Sequence, residues 1–280
     1  MSNRRAVVYE ASYRSHRRLG DIVAYRCAAS CERTVDKVRI CEAEEEIAIL
    51  RTEQLMQTIL HSTQSDKYRC FLSPSKNFRY IVYPEYKANR KDTVDPVHRK
   101  ACKQYLMDNW NAELFDGYEA DDALAWSQTQ AEYEGEGFNQ HEGTVICSID
   151  KDLKQVAGLH YNFVKEEWDD VNITNGLFTF YQQVLIGDKT DNLFGLNGIG
   201  PKKAAKYLEG CYEEQEMFDT VYDMYQDKHQ LAVNLMCMWL CREQGVTWAN
   251  RTDTQLIIPS TLQQELDLML ESMKSSMKTT

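Results

Sequence analysis

Seven acidic side chains occur in three short clusters, each placed where an apolar run ends or where a helix is predicted to begin. The clusters are Glu119, Asp121 and Asp122; Asp150 and Asp152; and Asp188 and Asp191. Gathering these carboxylates without a cation would be costly through mutual repulsion and desolvation. Hard divalent cations relieve that cost, and the absence of clustered His or Cys favours Mg²⁺ or Mn²⁺ over zinc. Two such ions about 4 Å apart are the usual arrangement for phosphodiester hydrolysis, so the clusters predict a two-metal site.

Each acidic cluster taken alone also has a plainer interpretation. Acids in the first turn of a helix offset its dipole and cap its free amides. Three clusters following strand ends or opening helices favour the metal site over that interpretation.

A basic segment precedes the acidic clusters in the chain. Residues 67–103 carry ten basic against three acidic side chains, a net charge of +7, whereas the other residues sum to −18 of the total −11. Aromatic residues alternate with these cations at Phe78, Tyr80, Tyr83 and Tyr86. Cations that hold a backbone and rings that stack on bases suit a single-stranded or frayed nucleic acid. A solvated basic face with buried tyrosines is the alternative.

A glycine-rich turn occupies residues 196–205, with the sequence L-N-G-I-G-P-K-K-A-A. Gly198 and Gly200 permit positive φ and a close approach to a phosphate. Pro201 suits the first position of a helix, whose free N–H groups attract an anion, and Lys202 and Lys203 add positive charge. A plain helix-turn-helix corner would also fit this run.

The hydrophobic pattern predicts the elements that must position these groups. Short strands are expected at 68–72, 112–115, 145–149 and 159–163, with helices at 99–108 and 119–129 and a mainly helical chain from residue 174. Strands alternating with helices indicate a mostly parallel α/β domain, here followed by a helical module. Ligands of such sheets collect at the carboxyl ends of the strands, which is where the acids lie.

Composition excludes several classes of protein. With 43% apolar and 27% charged residues the chain is neither disordered nor fibrous. No apolar run approaches the ~18 residues of a membrane span, and no apolar segment follows the first residues as in a signal peptide. The nine cysteines contain no Cys-x-x-Cys pair, which predicts free thiols in a reducing cytosol. We therefore expect a cytoplasmic protein.

The order of these motifs resembles the 5′→3′ exonuclease and flap endonuclease family. The motifs are Y-K-A-N-R at 86–90, E-A-D-D at 119–122, S-I-D-K-D at 148–152, G-D-K-T-D-N at 187–192 and G-I-G-P-K-K-A at 198–204. The resemblance is to the bacteriophage-type exonuclease, related to the 5′-nuclease domain of bacterial DNA polymerase I, and covers residues 20–210. It implies an α/β fold, a PIN-like domain with a central, mostly parallel sheet, plus a helix–three-turn–helix module.

The resemblance also implies roles for individual residues. Glu119, Asp121, Asp122 and Asp150 would hold one Mg²⁺ or Mn²⁺ ion, and Asp152, Asp188 and Asp191 the other, with Asp150 and Asp188 among the catalytic groups. Tyr86, Lys87, Arg90 and Lys91 would contact a 5′ strand at a basic arch, where Lys87 and Arg90 reach the scissile phosphate. Gly198, Gly200, Lys202 and Lys203 would grip duplex DNA, with K⁺ at the turn.

The implied domain limits and partners follow from the same resemblance. The nuclease domain would cover residues 1–180, with the arch at 76–104. The DNA-binding module would cover 181–265, and a polar tail 266–280. The expected partners are DNA with a 5′ end, nick or flap and replication proteins, with no membrane, in the host bacterial cytoplasm if the chain is of phage origin.

The N-terminal part departs from the family pattern at two positions. The family places a metal-binding Asp where this chain has Leu19, and a second acid near Ser73. Arginine-rich residues 14–18 replace the usual apolar strand, so this segment either follows a different path or has lost its first strand and one ligand. Asp21 could substitute in part.

The departure at Leu19 leaves alternatives open. One is a catalytically impaired protein of the same fold that binds branched DNA. The other is a PIN-like ribonuclease, although such enzymes generally lack the glycine turn.

Overall fold

The computed structural model describes residues 15–36, 38–65, 67–90, 94–133 and 144–277. The strands are β1 (Ser15–Leu19), β2 (Glu32–Val35), β3 (Val38–Cys41), β4 (Lys67–Leu72), β5 (Glu113–Leu114), β6 (Thr144–Cys147), β7 (Gly158–Asn162), β8 (Glu167–Val171), β9 (Gly187–Asp188) and β10 (Leu193–Phe194). The helices are α1 (Gly20–Ala29), α2 (Glu45–Thr63), α3 (Arg79–Val82), α4 (Arg99–Trp110), α5 (Ala120–Tyr133), α6 (Ile173–Ile186), α7 (Pro201–Tyr207), α8 (Glu214–Met224), α9 (Lys228–Met238) and α10 (Ser260–Met277).

Six strands form the central sheet in the order β5-β4-β1-β6-β7-β8. All neighbours are parallel except β7 and β8, which pair antiparallel at one edge. The predicted mostly parallel α/β fold is therefore confirmed, and the carboxyl ends of β1, β4 and β6 meet at one edge.

The N-terminal segment forms a strand despite its arginines. β1 lies at the centre of the sheet, with Leu19 opposite Phe71 of β4 and Arg18 opposite Cys147 of β6. The possibility that the chain has lost its first strand is therefore wrong. The backbone groups of β1 pair with a strand on each side, and this pairing does not require an apolar sequence.

The two faces of the sheet pack against different helices. Along β4 and β6, Cys70, Leu72 and Cys147 join the core beneath α1, α2 and α4, whereas Phe71 and Ile146 join the core with α5. This alternation is the period of two expected for a strand covered on both faces. Helix α1 begins directly after β1, and a Cβ on Gly20 would lie 2.8 Å from the Phe71 carbonyl oxygen. Gly20 thus permits the close approach that starts α1 at the edge of the sheet.

The helical part is built on α6, α8, α9 and α10, which share one large core. Leu266, Met269 and Met273 of α10 are buried in it. The predicted polar tail at 266–280 is therefore wrong up to the end of α10, because apolar residues at helical spacing pack inward while polar ones face solvent. The boundary predicted at residue 180 falls inside α6, and the division into two domains stays a prediction.

All nine cysteines carry free thiols, and only Cys41 is classed as exposed. Among the described residues no helix is long and apolar enough to cross a bilayer.

Candidate metal and nucleic-acid site

One cleft gathers residues from five segments of the chain. Its lining includes five of the predicted acids, namely Glu119, Asp121, Asp152, Asp188 and Asp191. Asp150 lies three residues after the end of β6, and its carboxylate accepts a hydrogen bond from the Asp152 amide at 2.9 Å. The three acidic clusters of the sequence thus converge at the carboxyl edge of the sheet, as the strand pattern predicted.

Burial raises the pKa of three acids of the cleft, and the charges of neighbouring acids add to this effect. Asp121 is partly exposed but its Oδ1 is buried, and its pKa lies well above the usual range because of this burial and the nearby charges of Asp150 and Glu119. Burial, with the charges of Asp150 and Asp188, raises the pKa of Asp152 to about 7. Burial also raises the pKa of Asp191. The site favours bound positive charge, either protons or cations.

The segment predicted to form the arch, residues 76–104, supplies cations to this cleft. Lys87 Nζ lies 2.5 Å from Glu119 Oε1 and 3.7 Å from Asp191 Oδ2. Arg90 Nη2 lies 2.5 Å from Asp191 Oδ1, and Arg90 Nε donates to the Thr190 carbonyl. Burial alone would raise the pKa of Glu119, but the charges of Arg79 and Lys87 hold it below its usual value. Lys87 and Arg90 therefore lie beside the acids, and their contact with a scissile phosphate stays a prediction.

Tyr86 does not have the role predicted for it. Its side chain is only 2% exposed, and its hydroxyl contacts Asp191 Oδ2 at 2.7 Å and Glu119 Oε2 at 3.2 Å. A ring enclosed in this way cannot stack on a nucleic-acid base, so the predicted DNA contact of Tyr86 is wrong in this structure. Its neighbour Lys91 lies outside the described residues.

Asp122 differs from the other acids because it forms a buried ion pair. Arg79 donates two hydrogen bonds to it, Nη1 to Oδ2 at 2.6 Å and Nη2 to Oδ1 at 2.8 Å. The amides of Glu119 and Cys241 also donate to its two oxygens, each at 2.9 Å. These four bonds fill the acceptor capacity of the carboxylate. The structure therefore contradicts the placement of Asp122 among the metal ligands.

The remaining acids have the donor chemistry that a hard divalent cation requires. Asp121 Oδ1 is buried and has no hydrogen-bond partner among the described residues. In the same part of the chain, no three His, Cys, Asp or Glu side chains converge as they stand into a metal-binding group. The carboxylate oxygens of Glu119 and Asp191 are instead hydrogen-bonded to Lys87, Arg90 and Tyr86. The residues fit such an ion in chemistry and burial, provided that these contacts yield to it.

The N-terminal acid Asp21 has partners of its own at the ends of β1 and β4. Its Oδ2 accepts from the Ser73 amide at 2.6 Å, and Lys103 Nζ lies 2.7 Å from Oδ1. The Ser73 hydroxyl in turn accepts from the amide of Ala120, the first residue of α5. Asp21 is therefore tied to the strand edge rather than aimed at another acid.

The glycine turn lies between β10 and α7. Gly198 has φ +73°, where glycine is favoured, and Lys203 Nζ donates to its carbonyl at 2.9 Å. Gly200 precedes α7 in an extended conformation and Pro201 opens the helix. Lys202 is exposed. Gly198 therefore uses the positive φ that the sequence analysis anticipated, whereas Gly200 does not, and the contact of the turn with DNA stays a prediction.

Sequence reasoning missed polar residues that support the acids. Asn77 Nδ2 donates to Glu119 Oε1 at 3.0 Å, and Gln183 Nε2 donates to Asp152 Oδ1 at 2.6 Å. The sequence analysis identified Arg79 only as one of the ten basic residues of the segment 67–103. A polar residue at a single position carries no sequence signal for such a role.

Comparisons with known proteins agree with this architecture. The family model described as 5′-3′ exonuclease, N-terminal resolvase-like domain, matches residues 23–182. The thermostable DNA polymerase I of Thermus thermophilus is 31% identical over 179 residues, which are 55% of this chain and 19% of that protein. The 5′-3′ exonuclease of Aquifex aeolicus is 32% identical over 152 residues, 50% of each chain. This chain thus spans at most about half the length of these relatives.

Solved structures resemble the whole fold at low identity. The T5 D15 protein co-crystallized with metal ions has a TM-score of 0.58 and 16% identity, and the match covers 94% of this chain and 99% of that one. A bacteriophage T5 D15 flap endonuclease complex with DNA and metal ions has a TM-score of 0.59 and 16% identity, with coverage of 94% and 98%. The family predicted from the motifs is confirmed, and the chain belongs to the 5′-3′ exonuclease family that carries the N-terminal resolvase-like domain.

Proposed function

We propose that this chain is a metal-dependent nuclease that hydrolyses DNA phosphodiester bonds at free 5′ ends, nicks or flaps. The observation that carries the proposal is the cleft, which brings Glu119, Asp121, Asp152 and Asp188 together, with the Lys87 ammonium group paired with Glu119. The names of relatives support it, since one is a 5′-3′ exonuclease and one solved neighbour is a flap endonuclease complexed with DNA and metal ions.

The proposed ligand set follows the positions of the acids. Glu119, Asp121 and Asp150 would hold one divalent cation, and Asp152, Asp188 and Asp191 a second. Asp122 is left out because its oxygens are filled by Arg79 and two backbone amides. Bound Mg²⁺ or Mn²⁺ would supply an activated water and stabilise the leaving oxygen.

The cationic side chains of the cleft would position the substrate. Lys87 and Arg90 lie beside the acids, and both side chains can approach one phosphate group of the substrate. Lys202 and Lys203 lie in the first turn of α7, where they would hold the phosphate backbone of the DNA duplex. A K⁺ ion at the Gly198 turn and contacts with replication proteins belong to the same proposal.

One substitution in the second ligand group, compared with a control outside that group, tests the metal assignment. Asp188→Asn should abolish most Mg²⁺-dependent cleavage of a 5′-labelled flap substrate, with a loss of at least about 100-fold, because a ligand charge is removed. The control is Asp169→Asn, which removes an acid that pairs with Lys154 at the edge strand β8. Near-wild-type cleavage by Asp188→Asn would contradict the proposed site.

A second candidate function rests on Leu19 and Ser73, where the family pattern places acids and this chain has none. The chain would then bind branched DNA without cutting it. Metal-dependent cleavage with enzyme equimolar to substrate excludes that function, whereas tight flap binding with no cleavage supports it. Matched DNA and RNA flaps in the same assay distinguish a ribonuclease.

A further inference from the structure

We infer that residues 237–241, the last two residues of α9 and the three that follow it, are a positioning platform for both groups of acids in the cleft. The inference rests on the proposed metal site and adds to it a part of the chain beyond the matched family domain, which ends at residue 182. The platform is defined by three backbone carbonyls and two backbone amides that hold buried side chains leading to the acids.

The first connection runs through Arg79 to the acids at the start of α5. Arg79 is 1% exposed, and it donates from Nε to the Cys237 carbonyl at 2.7 Å and from Nη2 to the Trp239 carbonyl at 3.0 Å. Its other bonds reach Asp122, which also accepts from the Cys241 amide. Arg79 and Asp122 thus join the platform to the first turn of α5.

This connection sets the direction of the adjacent acid. Successive residues of an α-helix point about 100° apart. Because Asp122 is fixed inward on Arg79 and accepts from the Glu119 amide, Asp121 is turned toward the cleft. Asp122, which does not itself face the cleft, therefore holds the unpartnered, buried oxygen of Asp121 in place.

The second connection runs through two glutamines to the other group of acids. Gln155 donates to the Met238 carbonyl and accepts from the Leu240 amide, both at 3.0 Å. Its Nε2 also lies 3.3 Å from Gln183 Oε1, and Gln183 donates to Asp152 Oδ1 at 2.6 Å. Gln155 is 1% exposed, so these bonds have no competition from bulk water.

The platform is itself rigidly packed. Trp239 is 1% exposed, and its ring meets Phe180 of α6 edge-on with the centroids 4.9 Å apart. Cys237 and Cys241 are buried on either side of it. Both connections therefore start from one fixed segment, and movement of this segment would displace Asp121 and Asp152 together.

The experiment measures Mn²⁺ binding to the full-length chain by titration calorimetry, well below the unfolding temperature. Asp122→Asn and Gln155→Leu each break one connection, and each should weaken Mn²⁺ binding by about 10-fold or more, as outer-shell substitutions do. The control is Asn234→Leu, which removes a buried amide from α9 that bonds to the Phe194 carbonyl and the Tyr225 hydroxyl. It should lower the unfolding temperature while leaving Mn²⁺ affinity within about 2-fold.

Unchanged Mn²⁺ affinity in both connection variants would overturn the platform, as would equal weakening in Asn234→Leu. Hydrogen exchange on the metal-free proteins separates this result from failure of the proposed function. If the wild type binds no Mn²⁺, the proposed metal site is wrong. The platform is then tested by hydrogen exchange at the amides of residues 121–123 and 152. Faster exchange confined to the matching connection variant supports the platform, and exchange equal to that of Asn234→Leu overturns it.

Discussion

Lys87 Nζ lies 2.5 Å from Glu119 Oε1, so a lysine proposed to contact substrate is bonded to an acid proposed to bind metal. The backbone of Lys87 has φ +57°, an uncommon conformation for a residue with a side chain, and its amide donates to the Asp191 carbonyl at 3.0 Å. Backbone strain of this kind is found where the surrounding structure fixes a functional side chain. Lys87 is thereby held where it shares the carboxylate of Glu119 with any incoming cation.

Lys87→Ala should tighten Mn²⁺ binding, by about 10-fold, because the ammonium that competes for Glu119 is removed. Titration calorimetry on the substrate-free protein measures the effect. Lys151→Ala is the matched control, since it removes the same charge from the lining of the same cleft, and it should have a smaller effect. Weaker or unchanged Mn²⁺ binding in Lys87→Ala would contradict competition at Glu119.

Substitutions of two lysines should separate turnover from duplex binding. Lys87→Ala removes a charge beside the acids, so single-turnover cleavage should fall by about 100-fold with DNA affinity nearly kept. Lys202→Ala, in the first turn of α7, should weaken DNA binding by a few-fold and reduce its salt dependence by about one unit of slope. Cleavage rates at saturating enzyme and binding isotherms in Ca²⁺ measure the two quantities. Equal effects of both variants on both quantities would contradict this division.

The raised pKa of Asp152, about 7 because of burial and the charges of Asp150 and Asp188, predicts two opposite pH effects. Between the unfolded pKa of about 4 and pH 7, the folded state binds a proton that the unfolded state has lost. In EDTA, the contribution of Asp152 to the free energy of unfolding therefore decreases as pH rises through this window. Mn²⁺ affinity should instead increase as pH rises through 7, since the proton competes with the cation.

Asp152→Asn serves as the control for both pH effects. The amide does not titrate, so chemical denaturation in EDTA should show a flatter pH dependence between pH 4 and 7 than in the wild type. Residual Mn²⁺ binding by the variant should also depend less on pH. A wild-type Mn²⁺ affinity that is constant from pH 6 to 8 would show that Asp152 is already ionised at pH 6.

The sequence predicted the elements whose signal is local. Val145, Ile146 and Cys147 form a continuous apolar run bounded by Asp150, and this pattern identified β6 and the acid that follows it. The short exposed hairpin of β2 and β3 has no such apolar run, so the sequence analysis did not predict it. β1 was missed because arginines occupy a strand whose stability comes from pairing with β4 and β6, which are distant in sequence.

The convergence of the acids was also predictable, but the state of each acid was not. Glu119, Asp121 and Asp122 look alike in sequence, yet Asp122 is paired with Arg79 and Asp121 has an unpartnered oxygen. The difference depends on backbone groups near residue 240, which no local pattern connects to residue 122. The burial of Tyr86 likewise results from tertiary packing rather than from its place among basic residues.

Asp21→Asn should separate a structural acid from a metal ligand at the N-terminal end of the sheet. Asp21 accepts from the Ser73 amide at 2.6 Å and pairs with Lys103 at 2.7 Å, with its side chain 15% exposed. Hydrogen bonds to a partly buried charged group contribute about 1.5–3 kcal/mol, so urea denaturation should reveal a loss of that order. Cleavage of a 5′-labelled flap and Mn²⁺ affinity should stay within about 2-fold of wild type, because these partners and not a metal hold the carboxylate.

Asp150→Asn provides the comparison for Asp21→Asn. The charge of Asp150 raises the pKa of both Asp121 and Asp152. Its removal should therefore reduce cleavage strongly with little loss of stability. A fall in cleavage of more than about 10-fold in Asp21→Asn, without a loss of stability, would instead make Asp21 a substitute for the acid missing at Leu19. The contacts with Ser73 and Lys103 argue against that outcome. Ser73 follows β4 and Lys103 lies on α4, so removing the charge of Asp21 should loosen the junction of β1, β4 and α4 before it affects the acidic cleft.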